Sequence, residues 1–263
     1  MTQAPSLTNL LSANNIVLFM LVFTRLTGLV QTAPFFSTVR MPLMPKLWLC
    51  ATVSFIFYPL VQGMGKYLLP HNMGEFIILL AIEFLVGYLI GFVANLILEG
   101  VRMTGSILAI QMGLSMSEAL DPATGMNSTE ISKFYIYLVT LIFLATGAHQ
   151  ILFASVFNSF QALPMGIFPL FDSHIIGSML TMFAQLFKIA FGVSLPIFSV
   201  LLISDVLLGV MSKMMPHMNI YMVALPVKIY IGLFLMMVFL SGTSSYLQGV
   251  IQNYFDAIVR IFT

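Results

Sequence analysis

Four ionisable side chains, Arg25, Glu83, Asp205 and Lys228, lie inside stretches that are otherwise almost wholly apolar. A charge at the centre of a membrane helix costs about 2.5 to 3.5 kcal/mol, against roughly 0.3 to 0.6 gained per Leu, Ile, Phe or Val. One such residue per span is sustainable, but it is not idle. These groups either snorkel or pair between packed helices, or mark a substrate site near the middle of the membrane, as in secondary transporters with broken helices. Taken together, the four suggest extensive burial against partner subunits.

The remaining reactive groups point away from catalysis. His71, His149, His174 and His217 are far apart, and none has a second ligand at metal-binding spacing on one helix face. There is no Gly-x-Ser-x-Gly elbow and no phosphate-cradling glycine loop. Cys50 is the only cysteine, so an internal disulfide and a multi-thiolate metal site are excluded and packing is its expected role. A non-enzymatic protein without cofactor or metal is expected. A net charge of +1 with no basic run also excludes nucleic acid as a main partner.

One segment stands apart from the apolar background: GSILAIQMGLSMSEALDPATGMNS, residues 105 to 128. It does not read as a membrane span. Ile107, Leu108, Ile110, Met112 and Leu114 are too apolar for a simple solvated loop. Unbranched thioethers at Met112 and Met116 adapt to irregular surfaces, and Gly105 and Gly113 supply backbone freedom. Asp121-Pro122 ends the segment, because proline disfavours helix at the residue before it and aspartate bonds nearby backbone amides in turns. The combination suits a seal that deforms and closes again.

The elements that must position these residues are helices in a bilayer. Only 7% of the 263 residues are charged and 60% are hydrophobic, with mean hydropathy +1.04, which places the chain among integral membrane proteins. Apolar runs long enough to span, at roughly 20 residues each, fall near 16–36, 47–69, 76–98, 131–153, 175–203 and 218–241. Residues 134–171 carry no Asp, Glu, Lys or Arg until Asp172, too long a run for one simple span, and contain Pro164 and Pro169; a helix followed by an irregular apolar piece is expected. Pro34, Pro59, Pro196 and Pro226 lie within apolar runs and should bend or interrupt helices. Such breaks persist at membrane depth only where protein or a water-filled cavity satisfies the freed backbone groups.

Gly87 and Gly91 form a GxxxG whose expected role is tight helix packing. Met211, Met214, Met215, Met218 and Met222 would form a packed stripe if a helix continued through Pro216. Lys and Arg are scattered too evenly to set an orientation, and no Lys or Arg precedes Arg25, so the first apolar segment is expected to be retained. No internal repeat, soluble domain or linker is evident. The expected fold is all-α, a single membrane domain over residues 1–263 with kinked and broken helices.

Three blocks, in order, resemble one family. GSILAIQMGLSMSEALDP is similar to the Q-M-G … D-P loop of the FliR family of flagellar type III export proteins and their injectisome relatives. RLTGLVQTAPFF from Arg25 is similar to that family's R-x-x-G-x-x-x-x-A-P-x-F opening, and PHMNIYMVALPVKIYIG from Pro216 to its P-Q-x-N-I … P-x-K-I-x-x-G stretch. His217 replaces a frequent Gln, and GAH at 147–149 a frequent N-G-H.

The resemblance implies an export-gate subunit in the bacterial inner membrane at the flagellar basal body. It implies kinked helical hairpins assembled with FliP and FliQ into a channel for unfolded flagellar substrates, in contact with FlhB. Carried onto this chain, Ile107, Ile110, Gln111, Met112, Gly113, Met116, Asp121 and Pro122 would help close the conduit, with residues 106–122 folded into its lumen. Arg25, Gly28, Pro34, Glu83, Asp205, Pro216, Asn219, Pro226 and Lys228 would be structural or subunit-contact positions.

Overall fold

A computed structural model describes residues 13–34, 36, 41–65, 70, 72–114, 130–163, 165, 173–215, 217 and 220–261. Among them, helix is the only regular secondary structure: α1 (Ala13–Thr32), α2 (Leu43–Met64), α3 (Met73–Gln111), α4 (Glu130–Ala145), α5 (Ala148–Ala162), α6 (Ser173–Met214) and α7 (Ile220–Ile261). Five of these are long and apolar enough to cross a membrane, and α4 with α5, broken at their junction, makes a sixth if counted as one span. The all-α membrane fold is thus as expected.

Of the four prolines within apolar runs, only Pro34 lies at a helix end, just past Thr32. Helices α2, α6 and α7 run on through Pro59, Pro196 and Pro226. A proline removes one backbone bond, and the apolar turns on either side carry the helix past it. The break between α4 and α5 falls instead at Gly147, whose φ of 69° lies in the left-handed region. The second half of the 134–171 run is therefore helical as far as Ala162, not irregular.

The chain divides into two units. The first comprises residues 1–95, 147–182 and 253–263. In it α1 packs on α2 and α5. Its buried positions recur at helical spacing: Leu18, Leu21, Val22, Leu26 and Leu29 on α1, Leu79, Val86 and Ile90 on α3, and Leu152 and Val156 on α5. Gly87 and Gly91 lie where a Cβ would run into the backbone of α1 near Arg25 and Leu29, and Gly28 faces the α3 backbone at Phe84 and Tyr88. The GxxxG therefore does what its spacing predicts, bringing two backbones together. Cys50 is buried and free, its thiol facing the Leu26 carbonyl at 3.9 Å.

The second unit comprises residues 96–146 and 183–252. The second half of α3 packs on α6 through Gly100, which faces Leu186 and Ile189, and Thr104, whose hydroxyl donates to the Ala190 carbonyl at 3.2 Å. It meets α4 at Gly105, where a Cβ would strike Ser132. Helix α7 contributes few buried side chains here, among them Met236 and Leu247, and exposes Met222, Tyr230, Phe234 and Met237. The methionine stripe is split, because α6 ends at Met214, and Met211, Met214, Met215 and Met222 are exposed in this chain rather than packed.

Candidate functional site

The four intramembrane charges form two pairs, each within a single unit. Arg25 sits in the buried stripe of α1, Glu83 in that of α3, and Ser159 in that of α5. Arg25 Nε donates to Glu83 Oε2 at 2.5 Å, and Nη1 donates to Ser159 Oγ at 3.0 Å. The guanidinium carbon lies 4.1 Å from the centre of the Phe160 ring. Planar charge, bidentate reach and a ring face are the environment in which arginine is held and lysine is not. Arg25, Glu83 and Ser159 are all fully buried, so this cluster is a fastening between three helices rather than a surface for a partner.

The second pair lies at the foot of α3. Three consecutive residues there have separate jobs. Gln111, the last residue of α3, donates from Nε2 to Asp205 Oδ2 on α6 at 2.8 Å, while Asp205 Oδ1 is paired with Lys228 Nζ on α7. Met112 is completely buried against Gly232, where an added Cβ would lie 2.6 to 2.8 Å from its Cε, Sδ and Cγ. Gly113 has φ 80° and faces the Leu225 side chain, whose Cδ1 an added Cβ would approach to 2.8 Å.

Backbone bonds explain why the helix stops there. Gly113 N donates to Ile110 O at 3.0 Å and Leu114 N to Ala109 O at 2.9 Å. This is the paired pattern of a Schellman cap, which needs a left-handed residue at the position Gly113 occupies. The sequence suggested that Gly113 loosens the backbone; the structure uses it to stop the helix at a defined place. Consequently Ile107, Ile110 and Gln111 belong to α3 and not to a loop, which corrects the reading of residues 106–111 as part of a folded-in loop. About two turns of helix with Thr104, Gly105 and Leu108 buried hold them in line with α3.

A cleft of about 580 Å³ opens beside this foot, lined by Ile110, Gly113, Asp205, Leu208, Leu225 and Lys228 among others. Ile107 is half-buried, and Ile110 is 65% exposed. Pro34 is buried just past the end of α1, and Pro226 is exposed within α7. Met116, Asp121, Pro122, Pro216 and Asn219 lie outside the described residues. The structure thus brings Gln111, Met112, Gly113, Asp205 and Lys228 together, and separately Arg25, Gly28 and Glu83.

Burial against partner subunits, expected for the four charges, is not needed to compensate them: each has its counterion in the same chain. Sequence reasoning missed Ser159, Phe160, Leu225 and Gly232. Gly232 closes the third family-like block and Leu225 precedes its second proline, so those two carried a signal; Ser159 and Phe160 carried none.

The chain is similar to known proteins along most of its length. The chain is 29% identical over 245 residues to the flagellar biosynthetic protein FliR of Bacillus subtilis, covering 92% of each chain. It is 26% identical over 244 residues to the Escherichia coli protein of the same name, covering 91% of this chain and 90% of that one. Similarity extends to the surface presentation of antigens protein SpaR of Shigella flexneri, 32% identical over 170 residues and 64% of each chain. The model of the bacterial export proteins, family 1, matches residues 16–254, a range that takes in both charge pairs, the foot of α3 and most or all of each helix, and the chain belongs to that family.

Proposed function

We propose that this chain is a non-enzymatic subunit of the flagellar type III protein export gate in the bacterial inner membrane at the flagellar basal body. On this reading residues 1–263 act as one domain that assembles with FliP and FliQ into the conduit for unfolded flagellar substrates and contacts FlhB. The residues following the foot of α3, through Met116, Asp121 and Pro122, help close the conduit.

The observation that carries this reading is the Q-M-G foot itself. In a bacterial export protein with spans of membrane length, three consecutive residues anchor the end of α3, just before residues 115–122, to α6 and α7. The exposed apolar residues of α7 agree with a chain that packs against further helices or lipid. A barrier is required because an open protein-sized pore would dissipate the membrane potential, worth about 2.3 kcal/mol per charge per 100 mV. An injectisome subunit of the same kind is the second reading, supported by the similarity to the Shigella protein.

The test has two parts. A tagged full-length chain isolated from native membranes is expected to bring FliP and FliQ with it; a chain that purifies as a functional monomer refutes the assembly. Deleting residues 115–120 is expected to leave the complex intact and make cells leak ions. Membranes that stay tight, with normal export, refute the closing role.

A further inference from the structure

Two fastenings of different character hold this protein together. At the first, Arg25 and Glu83 are fully buried, out of reach of water. At the second, the Asp205 and Lys228 side chains are 38% and 20% exposed and Gln111 is half-buried. Water can take over each of these contacts as it opens, so the pair is specific in geometry and weak in strength. Asp205 divides its carboxylate, one oxygen for Lys228 and one for Gln111. The amide of Gln111 is thereby held to α6 by a charge-assisted bond, on a carboxylate whose other oxygen pairs with Lys228 of α7. Met112 adds a second, apolar hold by filling the notch at Gly232.

We propose that Gln111, Asp205 and Lys228, together with Met112 in its seat at Gly232, form a latch on the foot of α3 that must release for the conduit to open. Asp205 and Lys228 are its positioning residues. The cleft bounded by Ile110, Gly113, Asp205 and Lys228 gives the released side chains room and admits water to the ion pair. This rests on the closing role proposed above.

The experiment is a reversible lock in the full-length chain, assembled in its native complex. With Cys50→Ala removing the only native cysteine, Met112→Cys and Gly232→Cys face each other: a Cβ at 232 would lie 2.8 Å from the position of Met112 Cγ, a separation suited to a disulfide. Oxidation is expected to reduce export about tenfold or more while the membrane stays tight, with reduction restoring it. A chain shown by thiol titration to be cross-linked, yet exporting as fast as the same chain without the cross-link, overturns the latch.

Asp205→Asn covers the case in which the cysteine pair does not assemble, because it keeps the side-chain shape and removes the charge. It is expected to raise ion leak several-fold at unchanged levels of the complex, and an unchanged leak overturns the polar hold. The residue 115–120 deletion separates the two ideas. If that deletion stays tight, the closing role is lost; if it leaks while the cross-linked chain exports freely, only the latch is lost.

Discussion

Arg25 and Glu83 are 58 positions apart and meet at 2.5 Å with both side chains at zero exposure. Removing either partner takes the counterion from a buried charge, which costs about 3 to 5 kcal/mol. Arg25→Ala and Glu83→Ala are each expected to lose most of the folded chain, read as loss of protease resistance in membranes. Arg25→Lys should rescue only in part, since a lysine cannot serve Glu83, Ser159 and the Phe160 face together. Full stability of Arg25→Ala would show that the pair holds nothing.

Glycines on α3 and α7 should respond in opposite directions to alanine. Gly87→Ala places a methyl group into the Arg25 carbonyl and must push α1 and α3 apart, whereas nothing lies within 4 Å of the site at Gly242. In the isolated chain Gly242→Ala is expected to be neutral or stabilising by up to about 1 kcal/mol, as for an unconstrained helix glycine. Gly87→Ala is expected to be strongly destabilising. Denaturant unfolding in detergent compares the two, and equal effects would contradict the close approach.

At Gly113 two penalties coincide. Gly113→Ala meets a left-handed backbone, worth about 1 to 2 kcal/mol, and also the Leu225 side chain. Leu225→Ala in the same chain is expected to relieve the second penalty and leave the first. A double-mutant cycle on ion leak measures the coupling; complete rescue would mean that φ plays no part, and no rescue that the Leu225 contact plays none.

The junction of α4 and α5 depends on backbone conformation more than on contact. At Gly147, φ is 69° and the nearest foreign atom to an added Cβ is Gln150 Oε1 at 3.9 Å. Asparagine, which visits this region more readily, should be better tolerated than valine. Membrane-level abundance of Gly147→Asn and Gly147→Val checks this, and equal tolerance would argue against a fixed bend.

Composition and periodicity alone determined that this is an all-α membrane protein and roughly where its long helices lie, because the bilayer demands about 20 apolar residues per span whatever the neighbours do. The GxxxG role was also legible, since small residues one turn apart have few other uses in such a helix. The family-like blocks singled out Gln111, Met112, Gly113 and Lys228, but not what each does.

Tertiary structure decided the rest. Pairing Arg25 with Glu83, and Asp205 with Lys228 and Gln111, depends on which helices are neighbours and at what height they meet. No local pattern encodes that across 58 or 94 residues. Gly113 reads equally as a loosened hinge or a helix stop until the bonds to Ile110 and Ala109 are seen, because its freedom permits both and only the packing of Met112 on Gly232 selects one.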